Sequence, residues 1–290
     1  MKDYWSSSEI LSHVYNSYLR KLADSKHLPH QQLISQLYKY TFSKDVIDEP
    51  LKYAISLFYM IINSLDDSID EAPLEKRKEY YSHAVLIFSA QFPFFYYIVR
   101  NLDISEQSLG VIDHFFTTIQ SLIPQVVEAV AIEKALPIPS TNSPSEIAKT
   151  IITIQENRCA DHFFICQILN ELLQPKIRVF IDISPSLILY KALEFFVKDL
   201  SPQELKQDQK NSTFNILLYI QRLGITTNQE LLAIIDRIIS LFHQRFFKES
   251  SKLPQKAQMF LKKKFNEKLE ELEKKKLIIS SFGLDLLEPT

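Results

Sequence analysis

Apolar positions along most of this chain recur at intervals of three and four rather than two, which is the spacing of a helix face. Ile10, Leu11, Val14, Tyr15, Tyr18 and Leu19 follow a capping box from Ser6 to Glu9 and predict a first helix ending near Asp24. Pro29 opens a second, with an apolar stripe of Leu33, Leu37 and Tyr40. A third begins around Asp48 to Pro50 and runs to about Ile69; it is apolar nearly all round, so it belongs in an interior. Pro73 starts the next, where the basic turn Lys76-Arg77-Lys78 precedes an apolar run from His83 to Phe92. A further run from Phe94 to Val99 leads through a turn at Asp103 to Ser105 into a long helix from about Glu106 to Leu136. Pro124 is expected to kink that helix by removing a backbone donor.

Pro137 to Ser145, PIPSTNSPS, is the clearest loop, and helical periodicity returns from Glu146 to Leu173. The stretch from Pro175 to Pro185 is open between strand and helix, because RVFIDI has the composition of a short strand; helix resumes at Ser186. Ser201 to Asn211 reads as a polar interruption, followed by helices over Phe214 to Leu223 and Asn228 to Phe247. Gln255 to Lys275 predicts a charged amphipathic terminal helix whose Lys/Glu pairs form a solvated face. With no internal repeat and no low-complexity linker, the expectation is a single all-α domain over residues 1–290.

Composition supports the helical reading. Only Gly110, Gly224 and Gly283 supply glycine, too few for hairpins, phosphate-binding glycine loops or a Rossmann turn. A net charge of −2 gives no global basis for nucleic-acid binding, so any anion site must be local. Cys159 and Cys166 complete no zinc pattern and read as buried thiols in a reducing compartment. No signal core and no run of about 18 apolar residues is present, so the expectation is a soluble, cytoplasmic protein without integral membrane insertion. The 20 Phe and 13 Tyr fit a thick aromatic core or an apolar pocket for a greasy ligand. No GxSxG elbow, HExxH or HxH spacing occurs, and His83, His114, His162 and His243 read as core or surface contacts.

Candidate chemistry concentrates where the apolar third helix ends in acids. Asp66 and Asp70, and Asp67 and Asp70, are spaced to share one helix face. At an effective dielectric of about 20, each close pair of these carboxylates repels by up to about 4 kcal/mol. The cluster must be solvated, protonated or neutralised by a cation. Mg²⁺ suits the last case, since it takes one or two carboxylates together with substrate phosphates. An acidic, solvated helix end is the simpler alternative.

Asp66-Asp67-Ser68-Ile69-Asp70 resembles the DDxxD motif of the class I isoprenoid synthases, and further segments resemble the trans-prenyl diphosphate synthase branch in order along the chain. Pro124-Gln125-Val126-Val127-Glu128 is similar to the family's GQxxD helix, with Pro for Gly and Glu for Asp. Arg158-Cys159-Ala160-Asp161-His162-Phe163 is similar to KTAxLF, whose lysine contacts diphosphate; Arg158 brings a planar fork suited to phosphate oxygens. Without the resemblance, Arg158 reads as a structural partner for Glu156 or Asp161. Phe195 to Pro202 lies where the family carries its second aspartate-rich motif. Lys198 and Pro202 occupy expected carboxylate positions, leaving Asp199 with Glu204 and Asp208 nearby. Asp208 to Phe214 resembles the DxxxGKxT segment, with Asn211-Ser212 in place of Gly-Lys.

The resemblance implies a helical bundle around a central apolar cavity. It implies Mg²⁺ on Asp66, Asp67 and Asp70, with Asp199, Glu204 and Asp208 completing a second wall. It also implies diphosphate on Arg158, Lys198 and Lys210, and Tyr59, Asn63, Gln125 and Phe195 lining the cavity. The implied activity is ionisation of an allylic prenyl diphosphate. The N-terminal basic segment of chain-elongating members is absent, so a terpene synthase, or a prenyltransferase using an acceptor other than isopentenyl diphosphate, is expected over an elongator. Erosion of the second motif motivates a different class of reading: a non-catalytic helical subunit that keeps the fold and pairs with an active synthase; as to assembly, a homodimer or a heteromer with a related synthase is expected. A plain helical interaction protein is the third.

Overall fold

The computed structural model describes residues 138–159, 179–211 and 214–282, together with positions 33, 36, 37, 39, 40, 76, 78, 81, 82, 85 and 124. By its internal packing the chain divides into two compact units, Met1–Leu122 with Ile168–Lys176, and Ile123–Gln167 with Ile177–Thr290. In the first unit, Leu37 is buried while its helical neighbours Gln36 and Lys39 are exposed, as the stripe over Leu33, Leu37 and Tyr40 requires. Lys76 and Lys78 are exposed on helix as well.

Among the described residues every regular element of the second unit is a helix, and there is no strand. Its helices are α1 (Pro144–Arg158), α2 (Val179–Asp199), α3 (Pro202–Asn211), α4 (Ile216–Arg222), α5 (Asn228–Ser250) and α6 (Gln255–Phe282). Helices α1, α2, α5 and α6 pack on one another: α5 lies against α1, α2 and α6, and α2 against α1 and α6. The short α3 and α4 pack on each other and on α2.

Each long helix follows from local chemistry. At α1, Ser143 caps the first turn by accepting from the Glu146 amide (3.3 Å), Pro144 sits where a missing donor costs nothing, and Glu146 pairs with Lys149 at 2.6 Å. Its buried face is Ile147, Ala148, Ile151, Ile152, Ile154 and Gln155. Helix α5 is capped by Thr227, which accepts from the Glu230 amide (3.2 Å), and buries Leu231, Ile234, Ile235, Ile238, Phe242 and Phe246 along one stripe. A tight turn leads into α6, where the Gln258 side chain donates back to the Ser250 carbonyl at 3.0 Å. Helix α6 buries Ala257, Leu261, Phe265, Leu272 and Ile279 and carries Lys264–Glu267 and Lys268–Glu271 pairs on its wet side. The Phe246 and Phe265 rings stack with centroids 3.8 Å apart, and Phe196 of α2 meets Phe242 at 6.3 Å. Phe196, Phe242, Phe246 and Phe265 thus fill the seams between α2, α5 and α6.

Four boundaries differ from the sequence expectation, the end of the helix read from Glu146 to Leu173 among them. The segment from Val179 to Ile183 is helix, not strand, and α2 runs through Pro185. Pro185 is exposed, while Ile183 and Leu187 are buried. Packing of this apolar helix against α1, α5 and α6 outweighs the local preference of its β-branched residues. The supposed interruption over 201–211 contains α3: Pro202 opens it, Glu204 and Lys210 match its dipole, and Leu205 is buried, so one apolar anchor suffices. Helix α6 continues past Lys275 to Phe282, because Ile279 extends the buried stripe by two turns beyond Leu272. Helix α1 closes at Arg158, where the Cys159 amide donates to the carbonyl of Glu156 at 3.1 Å.

The aromatic seam carries the first prediction. Phe246→Ala should lower unfolding free energy by about 3–5 kcal/mol, whereas Met259→Ala, at an exposed site on α6, should stay within about 0.5 kcal/mol. Chemical denaturation of both variants checks it.

Candidate functional site

The C-terminal end of α2 gathers the polar chemistry of the second unit. Asp199 is the last residue of that helix and only 3% exposed. A carboxylate there meets the negative end of its own helix dipole and has lost its water, so it requires a cation. Arg158, at the last turn of α1, supplies it: one guanidinium nitrogen donates to both Asp199 oxygens, at 3.0 and 3.3 Å. Gln155, one turn earlier, donates to the same carboxylate at 3.0 Å and accepts from Arg158 at 3.3 Å, which fixes the rotamers of both partners. Gln155 is fully buried.

Aromatic rings close the pair in. The Arg158 guanidinium carbon lies 5.1 Å from the centroid of Phe195 and 5.4 Å from that of Phe214, both within cation–π range. Lys191 also reaches the Phe195 ring, at 5.9 Å, and pairs with Glu194. From the other side Asn215, the cap of α4, donates to the Asp199 carbonyl at 3.1 Å and to the Asp208 carboxylate of α3 at 2.9 Å. Its side-chain oxygen accepts from the Leu217 amide, so a single buried amide joins the ends of α2, α3 and α4. Lys275 of α6 donates to the Val197 carbonyl at 2.6 Å, adding a fourth element to the same helix end.

Burial pushes the Asp199 carboxyl above the usual carboxylate range, opposed by Arg158 and by the Gln155 hydrogen bond, while the Asp208 charge adds to the rise. Burial likewise raises Glu156, which α1 directs to Arg245 of α5 at 2.7 Å rather than to Arg158. Among the described residues Arg158 pairs with Asp199, 41 positions away, while the local Glu156 turns to Arg245; Asp161, the other local partner weighed from sequence, lies outside the described residues.

Several expected site residues thus meet. Arg158, Asp199 and Phe195 are in direct contact, and Asp208 is one amide away through Asn215. Lys198 and Glu204 face each other at 3.3 Å, each partly exposed, and Lys210 is exposed on α3. Asp66, Asp67, Asp70, Tyr59, Asn63 and Gln125 lie outside the described residues. Pro124, beside Gln125, is helical and exposed. His243 is exposed and lies 4.4 Å, centroid to centroid, from Phe247; Cys159 is buried. Gln155 and Asn215 were not anticipated. Their signals were faint: a glutamine in an otherwise apolar helix stripe, and an asparagine placed to cap ILLYIQR.

Among the described residues no group of three His, Cys, Asp or Glu side chains is placed to hold a metal ion. Asp199 is committed to Arg158 and Gln155, Glu204 to Lys198 and Asp208 to Asn215, so in this arrangement the three do not fit a magnesium ion. Nor is any helix among these residues long and apolar enough to cross a membrane. What the arrangement does provide is a guanidinium within cation–π range of two rings, with a buried carboxylate as its counter-ion.

Removing the cation tests that pairing. Arg158→Met leaves Asp199 buried without its partner, which should cost about 3–5 kcal/mol near neutral pH. The folded-state pKa of Asp199, already raised by burial, then rises further, so the folded chain binds the proton more tightly than the unfolded one. The variant should regain stability relative to the parent as pH falls toward the unfolded carboxyl value of about 3.9. Urea titrations at about pH 7.5 and about pH 5 should show a smaller deficit at the lower pH; equal deficits would contradict a charged, buried Asp199. No family model, curated protein or solved structure matches the chain.

Proposed function

We propose that this chain is a class I isoprenoid synthase-type protein that takes an allylic prenyl diphosphate and ionises it, more in the manner of a terpene synthase than of a chain elongator. The observation that supports the reading most is the contact of Arg158 with Asp199. It joins the segment resembling KTAxLF to the one resembling the second aspartate-rich motif, 41 positions apart, beside Phe195 and Phe214. Arg158 is the diphosphate-binding group of this reading, with Lys198 at the same helix end and Lys210 on α3 as further cations. Phe195 is the aromatic face nearest to it. The magnesium ions of the reading are assigned to Asp66, Asp67 and Asp70; when bound they would neutralise the leaving diphosphate. A prenyltransferase using another acceptor shares the same first step.

A second reading has its own support. Arg158 and Asp199 neutralise each other, as do Lys198 and Glu204, and such internal pairing suits a helical subunit that keeps the fold without catalysis and partners an active synthase.

The two readings part on one assay. Purified chain should release pyrophosphate from geranyl, farnesyl or geranylgeranyl diphosphate only with magnesium, and Asp66→Ala should abolish the release. Release that survives Asp66→Ala would remove the assigned metal wall. No release with any chain length from the isolated chain, but release from a co-purifying synthase, would favour the partner-subunit reading.

A further inference from the structure

Charge is distributed unevenly along α6. From Ser250 to Asn266 the chain carries Lys252, Lys256, Lys262, Lys263 and Lys264 and no acidic residue, a local reversal of sign in a chain of net charge −2. Lys252 pairs with Glu249 and Lys264 with Glu267, at the two margins of the stretch. Further along the helix Lys268 and Lys275 are engaged by Glu271, and Lys276 by Asp236. Lys256, Lys262 and Lys263 are in no ion pair among the described residues. These three surround one apolar side chain. Met259 stands three positions after Lys256, three before Lys262 and four before Lys263, so each is its neighbour on the helix surface. Met259 is 64% exposed, and Lys256 and Lys263 are exposed beside it; Lys262 is partly exposed, its ammonium 5.2 Å from the centroid of Phe247 on α5.

We propose that this face of α6 docks the chain on the surface of an anionic lipid bilayer, with Met259 entering the headgroup boundary and the three lysines meeting the lipid anions. Charge complementarity carries the attraction, since each lysine near an anionic leaflet adds to it. An exposed thioether at the centre of the lysines supplies an apolar contact, while lysine stems lie along the boundary and their ammonium groups reach the headgroups. Nucleic acid suits the face less well, because a sequence-tolerant nucleic-acid surface sets exposed aromatic rings among its cations and here Met259 holds the centre. The other side of the same turns is committed: Ala257, Leu261 and Phe265 are buried, and Phe265 stacks on Phe246 of α5. The mode is therefore surface attachment by a helix already packed in place, with little ordering cost on contact.

Co-sedimentation of the purified chain with phosphatidylcholine vesicles, with and without phosphatidylserine, tests it. The chain should sediment with the phosphatidylserine vesicles alone, and raising salt from about 50 mM to about 500 mM should release it. Lys256→Glu/Lys263→Glu should weaken binding at least about tenfold, and Met259→Ala about threefold or more. Lys206→Glu/Lys274→Glu reverses two exposed lysines on α3 and on the far half of α6 and should bind as the parent does. All of these sites are exposed, so melting followed by circular dichroism should show every variant folded. No sedimentation with phosphatidylserine vesicles at low salt, an equal loss in the two double variants, or a Met259→Ala chain that binds like the parent would each overturn the proposal. Tighter binding to duplex DNA or to poly-glutamate than to the vesicles would also overturn it, and would assign the face to nucleic acid or to an acidic protein. Prenyl diphosphate turnover plays no part in these measurements, so their outcome is separate from that of the functional reading.

Discussion

A carboxylate at the C-terminal end of a buried helix is the constraint on which the second unit depends. Asp199 is opposed by the dipole of α2 and by loss of water, and an isolated charge in such a place costs far more than one salt bridge at a surface returns. The chain meets that demand with Arg158, and then with Gln155 to orient both partners. The pair need not be a large net source of stability. Breaking it is what is expensive, and that one-sided cost fixes where α1 ends relative to α2.

The remaining elements are arranged so that this end of α2 is satisfied on every side. Asn215 takes the Asp199 carbonyl and ties it to Asp208, Lys275 takes the Val197 carbonyl, and Lys198 bridges to Glu204 at the start of α3. Away from that end the contacts are apolar and aromatic, with Phe196, Phe242, Phe246 and Phe265 filling the space between α2, α5 and α6. Stability and polar specificity are thus separated along the helices. The aromatic seam supplies burial, and the helix end supplies a set of charged and amide partners.

Legibility from sequence followed the range of the interactions. Elements with a cap and a regular apolar stripe, α5 above all, could be read directly, since Thr227, Glu230 and the Leu231-to-Phe246 stripe are local. Helix α3 could not, because a single buried leucine carries no period, and the first turn of α2 could not, because its β-branched residues taken alone favour strand. Arg158 was identifiable as a residue needing a partner, but the one seen among the described residues is 41 positions away, and local candidates necessarily stood first. Glu156 is instead engaged by Arg245 from α5. The acidic cluster at Asp66, Asp67 and Asp70, on which the proposed chemistry leans, belongs to the part of the chain outside the described residues.

A double-mutant cycle on Arg158→Met, Asp199→Asn and their combination, read by urea denaturation near neutral pH, bears most directly on the central claim that one desolvated pair organises this helix end. Close, desolvated charges should give a coupling energy of about 1.5 kcal/mol or more, with the double variant more stable than the sum of the two single losses implies. Additive losses, with coupling near zero, would mean that Arg158 and Asp199 are held independently, and the account of the site would be wrong.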